Sequence, residues 1–404
     1  MILYCLFVKT FSQNYTVNGW IKDADNGELL PGTTCYAPEV KKGVSSGTDG
    51  FYSLTLPRGV YQIQFSFIGY KTQVIRLTLK KDQTLNVLMP HDNRQIDHIT
   101  VTGNKRKRNV ENPEMSTENI SADLIKKLPS FMGETDVLKA ITLLPGIQSG
   151  GEGNSGVYVR GGGSDENLMI FDDAPVYNPS HLLGFFSVFN SDAVKEMEVY
   201  KGGIPSRHGG RASSVIDIRM KDGNSSNLGI HAGIGNISSR LTLEGPIIKD
   251  KWSFLISGRR AYPDFVGRKL NIDELKKNRL YFYDLNLKTH IRLSKRDRLH
   301  ISAYTGDDYF KLGDMLYTGW GNMTGTARWN HIFGNKFSSN TSLIYSGYNY
   351  SLGVIENPSA QFEWHSQIKD LIFKEDFIWS LTNNNLNFGI HLSKNPHPEE
   401  GALS

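Results

Sequence analysis

The sequence predicts a mainly β protein: an N-terminal β-sandwich, a small α/β domain, and then antiparallel strands that alternate as those of a transmembrane β-barrel do. Three observations carry this. The 404 residues include 40 Gly, 20 Phe and 18 Tyr but only 21% charged residues, a balance that favours short strands and turns over helical bundles. Apolar and polar residues alternate through many short windows separated by Gly, Asn and Asp turns. Helical periodicity is confined to short stretches between Ser121 and Gly146. The length suits two or three domains.

The net charge of +4 is too small to imply a nucleic-acid partner. The basic run Lys105–Arg108 sits among Asn, Glu and Pro, as a solvated linker does. Residues 1–13 combine an apolar stretch, Met1–Val8, with a polar Thr10–Asn14, and read as part of a secretory signal peptide lacking its basic start. No run of 18 apolar residues exists, so no spanning helix is expected. With cleavage near Ser12 only Cys35 remains, which leaves no intrachain disulfide and no Cys-based metal site.

Residues 15–90 read as a small β-sandwich. Tyr15–Ile21 alternates as a strand, and Asp25-Asn-Gly27 and Ser46–Gly50 are turns. Tyr61, Ile63, Phe65 and Phe67 fall on one face of a further strand, with Gln62, Gln64 and Ser66 opposite. Two more strands follow, over Thr72–Leu79 and Gln83–Leu88. Residues 91–120 are a linker, in which Ile96, Ile99 and Val101 supply β-propensity between polar flanks. A last sandwich strand is the other reading of Gln95–Gly103.

Residues 121–223 read as the α/β domain. Ser121 and Thr135 are candidate N-caps; Pro129 and Pro145-Gly146 are stops. Gly151–Gly156 has the three-glycine spacing of a dinucleotide loop. The chemistry needs a helix next, to present its N-terminus to a pyrophosphate, and Val157–Arg160 is strand-like, which argues against nucleotide binding. Asp172-Asp173 after an apolar strand reads as a turn rather than an acid/base or calcium pair. The one His-x-x-Glu, at His397 and Glu400, has no later His to complete a zinc set. No catalytic residue, cofactor or metal is expected.

Residues 227–404 alternate most clearly. Leu285, Leu287, Thr289, Ile291 and Leu293 point one way and Asn286, Lys288, His290 and Arg292 the other. Alternation alone does not say whether the apolar face meets a core or lipid. Connection lengths do favour lipid. Short turns near Lys249, Lys295, Gly334 and Asn384 alternate with long stretches at 261–279, 307–321 and 351–361, the outer-membrane pattern. Aromatics gather at strand ends, as interfacial girdles do. About eight strands are expected, starting near Leu228, Trp252, Tyr281, Leu299, Asn322, Phe337, Glu363 and Leu386.

Thr135–Gly146, Gly156-Val-Tyr-Val-Arg-Gly-Gly-Gly163, Asn167–Tyr177, Val194–Gly203 and Arg207–Ile218, in this order, resemble the plug domain of TonB-dependent outer-membrane transporters. The sandwich resembles the carboxypeptidase regulatory-like domain of Bacteroidetes-type members. The resemblance implies a TonB box at Asp97, His98, Ile99, Thr100, Val101 and Thr102, which would add as a strand to a TonB-type energy-coupling protein. It implies plug–barrel contacts at Arg160, with Gly161 and Gly162, and at Arg207 and Arg211, the arginines pairing with acids on the barrel wall. Tyr177, His181 and Phe185 would lie toward a ligand-facing apex, or else in plug core or barrel contacts. Plugged barrels have about 22 strands, so the chain is expected to hold sandwich, plug and the first third of a barrel, about 8 of 22 strands. The implied function is import of an extracellular ligand (iron chelate, cobalamin, glycan or peptide) through outer-membrane lipid, with the N-terminal domain in the periplasm. The alternative is a secreted or surface β-rich binding protein, for instance a carbohydrate-binding one, whose apolar strand faces would meet as a core.

Overall fold

The computed structural model describes residues 13–92 apart from 48, then 116–128, 130, 134–151, 156–235, 237–263, 265, 269, 278–357, 360–381, 384–394 and 399–403. The expected signal segment up to residue 12, the Lys105–Arg108 run, His397 and the segment Asp97–Thr102 lie outside the described residues. One compact unit holds the sandwich with Asn330–Ser339 and Asp376–Phe388; a second holds the α/β domain and the rest of the large sheet.

The sandwich consists of β1 (Asn14–Asp23), β2 (Thr34–Ala37), β3 (Lys42–Ser45), β4 (Phe51–Pro57), β5 (Gly59–Ser66), β6 (Gln73–Leu79), β7 (Gln83–Thr84) and β8 (Val87–Met89). One sheet runs β4-β1-β7, with β8 also on β1; the other runs β3-β2-β5-β6. The alternation of β5 places Tyr61, Ile63 and Phe65 in the core, against Val17, Ile21, Leu54 and Leu56 from the facing sheet. Gln62 and Ser66 are exposed on the opposite face, as period 2 requires.

The α/β domain opens with β9 (Thr117–Ser121), α1 (Ala122–Lys126) and α2 (Val137–Ile141). It continues with β10 (Ile147–Ser149), β11 (Val157–Val159), β12 (Asn167–Phe171), β13 (Ala174–Pro175), β14 (Ser180–His181), β15 (Phe186–Ser187), β16 (Val194–Tyr200) and β17 (Ser214–Met220). Its main sheet has the order β13-β12-β17-β16-β9, with β12 and β17 parallel. The core joins Val137, Leu138 and Ile141 of α2 to Met197, Val199, Ile216 and Ile218 on one face of that sheet. The N-cap of α2 is Asp136 rather than Thr135: its carboxylate accepts from the amides of Leu138 and Lys139. A charged acceptor at a helix start answers both the orphan N–H groups and the helix dipole. Strand β11 follows the glycine run where a nucleotide site would need a helix.

The large sheet contains β18 (Gly229–Ile234), β19 (Ser238–Ile248), β20 (Trp252–Ala261), β21 (Arg279–Arg292), β22 (Asp297–Leu312), β23 (Leu316–Gly334), β24 (Phe337–Asn357), β25 (Ala360–Ser380), β26 (Asn385–Lys394) and β27 (Glu399–Leu403). Strands β18 to β26 neighbour one another in sequence order, and β27 pairs with the far end of β25. Two expectations are corrected here. The stretch read as one strand from Leu228 is two, because the chain reverses between Ile234 and Ser238 and pairs Ile234 with Ser239. The stretches at 307–321 and 351–361 are not long loops. The strands run on through them, so that β24 and β25 each reach 21 residues, against the roughly 9–11 that cross a bilayer. Among the described residues no helix is long and apolar enough to span a membrane, which says nothing of strands.

The sheet is inverted relative to a soluble sandwich. On β21, Asp284, Asn286 and Lys288 are 3%, 0% and 5% exposed, whereas Leu285 and Leu287 between them are 37% and 39% exposed. Adjacent strands repeat the pattern: Ser257, His300 and Ser302 are buried, and Ile256 and Ile301 are exposed. Polar residues therefore face the α/β domain and apolar ones face outward, the arrangement of a sheet whose outer solvent is lipid.

Gly223 joins the two parts. Its φ is +80°, and a Cβ there would lie 2.2 Å from the Phe254 carbonyl oxygen of β20. Only glycine adopts this backbone at this approach.

Candidate functional site: the polar seam between the α/β domain and the sheet

Three charged groups on the sheet reach the α/β domain. Lys288 of β21 places Nζ 2.9 Å from Asp172 and 3.2 Å from Asp222, and donates to the Met220 carbonyl at 2.9 Å. Arg328 of β23 contacts Asp173 at 2.9 Å. Asp172 and Asp173 do form the turn between β12 and β13, both at positive φ, 48° and 74°. That turn aims two neighbouring carboxylates at two bases on the wall. Burial alone would raise the Asp173 carboxyl, but the positive charge of Arg328, Lys374, Arg219 and Lys288 outweighs it and holds the group down at about 2.

Arg259 of β20 is the centre of the second group. Its Nη1 lies 2.8 Å from Glu134, which precedes α2, and its Nη2 lies 2.6 Å from Asp284 of β21. Nη2 also donates to the Ser187 carbonyl at 2.8 Å. The Ser187 amide donates to Asp136 at 2.6 Å, which ties the α2 cap into the same network. The guanidinium lies over the Phe282 ring, 5.0 Å from its centroid. Glu134 also accepts from the Ser238 hydroxyl of β19.

The third group surrounds His181. It is 1% exposed and stacks on Phe282 with centroids 4.2 Å apart. Its Nδ1 lies 2.5 Å from Asp308 of β22 and its Nε2 3.4 Å from Asp284. The Leu182 amide donates to Asp308 at 2.7 Å. Burial would lower the imidazole pKa; the two carboxylates outweigh it and raise it. His181 is thus sequestered against the sheet rather than presented at an apex. Tyr177 donates to Asp370 of β25 and lies near Tyr348, so it too meets the wall, while Phe185 is 37% exposed.

The three arginines expected to pair with the wall make these contacts within the α/β domain. Arg160 donates to Ser116 at 2.9 Å, beside Gly161 at φ +82°; Arg207 donates to the Tyr200 hydroxyl at 2.7 Å; Arg211 reaches the Gly210 carbonyl. A Cβ on Gly162 would meet Ser213 at 2.3 Å, which explains a glycine there by close packing. At Lys288, Arg328 and Arg259 the polarity is the reverse of the expectation, with acids on the α/β domain and bases on the strands, whereas at His181 the acids stand on the strands. The signal available in the sequence was a basic residue on the polar face of an alternating strand, as at Lys288, since that face must point inward if the apolar one meets lipid.

A further charged set lies on the α/β sheet itself. Arg219 contacts Glu196 and Glu198 at 3.5 Å and Asp217 at 3.6 Å. Three carboxylates share one guanidinium, and burial pushes Asp217 up to about 6 and raises Glu196.

Comparison with known proteins places this seam. Residues 17–101 match the family described as CarboxypepD_reg-like domain, and residues 109–216 match the TonB-dependent Receptor Plug Domain. The chain thus carries, in this order, two domains that match these models, and it resembles the TonB-dependent receptors. The α/β domain is therefore the plug, and the large sheet carries barrel strands. TonB-dependent receptor P3 of Formosa agariphila is 25% identical over 240 residues, covering 56% of this chain and 22% of its own length. TonB-dependent receptor P39 of the same organism is 24% identical over 239 residues, covering 55% and 21%. The chain thus spans about a fifth of the length of these curated relatives. Among solved structures, a mutant of the ferric enterobactin receptor PfeA of Pseudomonas aeruginosa has a TM-score of 0.53 at 16% identity, over 70% of this chain and 49% of that one. The siderophore receptor PirA of Acinetobacter baumannii has 0.52 at 12%, over 70% and 48%. These two share the fold.

Proposed function

We propose that this receptor binds an extracellular ligand and imports it across the outer membrane, with the plug displaced by a TonB-type protein pulling on Asp97–Thr102. The observation that carries the reading is the inverted sheet around a plug held by ions. An apolar plug–wall interface would have to expose hydrophobic surface to open. Here Lys288, Arg328 and Arg259 meet carboxylates, and each group regains hydrogen bonds from water when the seam separates, so that a bond between such charged groups contributes only about 1.5–3 kcal/mol net. Such a seam favours reversible displacement. The rival reading, a soluble binding protein, needs the apolar strand faces to meet, and Leu285, Leu287 and Ile301 instead stand exposed.

In this reading the sandwich is periplasmic and Asp97–Thr102, at the C-terminal end of the first matched segment, supplies the pulled strand. Strand addition works through main-chain hydrogen bonds, so proline should abolish it. The test is binding of the periplasmic domain of a TonB-type protein to the full chain in detergent. Ile99→Pro and Val101→Pro should each weaken binding by tenfold or more, with Thr102→Ala nearly neutral. Unchanged affinity in both proline variants would remove the box assignment.

A further inference from the structure

The contacts of His181 carry a consequence that needs only a seated plug, whether or not the receptor transports. A neutral imidazole has one N–H donor and one lone pair. Here both ring nitrogens face carboxylates, Asp308 at 2.5 Å from Nδ1 and Asp284 at 3.4 Å from Nε2, in a site 1% exposed. With one nitrogen bare, its lone pair would point at a buried anion. The charged groups around the ring are Asp284 on β21, Asp308 on β22, Arg259 on β20 and, across Arg259, Glu134 of the plug. The Tyr304 hydroxyl is buried on the same face of β22, and the nearby contribution of β23 is the neutral Trp320, which donates to the Ser180 carbonyl at 3.1 Å. Three carboxylates and one guanidinium leave an excess of two negative charges, which a single imidazolium halves.

We propose that the seated plug carries one bound proton on His181, that this imidazolium is the ionic link between β14 and the barrel wall, and that unseating the plug into neutral or alkaline water releases the proton. His181 is in these terms a positioning residue whose hold is set by pH. The sign follows from linkage. The folded site raises the affinity for the proton, so its contribution is complete below the ordinary histidine range and is lost as pH rises through the raised value. Asp217, at about 6, titrates below this window, so pH 7–9 isolates His181 from it.

The test uses the full chain in detergent. Hydrogen exchange is followed at the Leu182 and Ser187 amides, which donate to Asp308 and Asp136, and each rate is divided by its intrinsic rate at that pH. In the unaltered protein, protection should fall about tenfold per pH unit above pH 7 until His181 has lost its proton. In H181Q it should be lower at pH 7 and flat with pH, while R259Q should lower protection yet keep the slope. A second readout counts protons directly. Unseating the plug with urea at pH 8 should release about one proton per chain into an indicator dye, and about none from H181Q. A flat profile in the unaltered protein, or an equal slope in H181Q, overturns the proposal; if H181Q does not seat its plug, the profile and proton count of the unaltered protein decide it.

Discussion

Arg259 on the barrel wall and Glu134 at the foot of plug helix α2 lie 2.8 Å apart with side chains 4% and 6% exposed. The same guanidinium holds Asp284 and the Ser187 carbonyl, so one residue joins the wall to the helix, to β15 and to the His181 site. A pair buried this deeply is costly to break from one side, because the remaining charge stays in a poorly solvating place.

Arg259→Gln should therefore destabilise the seated plug by about 3–5 kcal/mol, the usual cost of stranding a buried charge. Urea titration in detergent, followed by exchange at the Leu138 and Ser187 amides, should show the plug opening at lower denaturant while the sandwich is unchanged. A loss below about 0.5 kcal/mol would show that water replaces the guanidinium without penalty.

Lys288 offers a cleaner apportionment, because Asp172 and Asp222 both converge on it. Lys288→Met should cost as much as the loss of Arg259, and Asp172→Asn less. The double variant should recover part of the sum, with a coupling above about 1 kcal/mol in a double-mutant cycle. Additive effects would mean that the 2.9 Å contact contributes little to holding the plug.

The Arg219 cluster predicts a pH dependence on the acid side. Asp217 carries its proton to about 6 in the folded plug, against an ordinary value of 3.8. Between those values this carboxyl binds more protons in the folded state than in the unfolded one, so its contribution to plug stability rises as pH falls from 6 toward 4, while His208, held down to about 3 by burial and by Arg207, contributes in the opposite sense. The gain should approach a factor of ten per pH unit, and Asp217→Asn should remove it. Identical pH profiles in Asp217→Asn and the unaltered protein would contradict the burial of that carboxyl.

The lipid face gives the opposite test. Leu287→Lys should cost about 2–4 kcal/mol if this position lies near the bilayer midplane, and should reduce recovery of folded protein from membranes. Asn286→Ser, next to it but facing the plug, should leave membrane recovery unchanged. Equal tolerance of both would remove the distinction between the two faces.

Gly223 tests the junction. With φ at +80° and the Phe254 carbonyl 2.2 Å from any added Cβ, Gly223→Ala should cost at least about 1–3 kcal/mol and loosen β20 from the plug exit. Exchange at the β20 amides measures this, and no change there would mean the backbone moves aside freely.

Much of this architecture was legible along the chain because it is local. The alternation of Tyr61, Ile63 and Phe65 sets one face of β5, and the order of the plug motifs follows sequence order. The strands were also visible, but their count and ends were not. The reversal between Ile234 and Ser238 is marked in the sequence only by the dipeptide Gly235-Asn236, and the continuation of β24 and β25 depends on each pairing with its neighbour far beyond the bilayer. The site was the least legible part. Asp172 and Asp173 carry the signature of a turn, and being in a turn is what aims them at Lys288 and Arg328, which lie more than a hundred residues later.

The sequence by itself determined that residues 285 to 292 form a strand with one apolar and one polar face, since period 2 is a property of the backbone. It did not determine which face is inside. That was decided by the plug, which occupies the polar side and leaves Leu285 and Leu287 exposed. The identity of the latch residues was decided in the same way. Charge complementarity acts over a few ångströms of space and ignores distance along the chain, so Arg160 could turn to Ser116 while Arg259, Lys288 and His181 took the places at the wall.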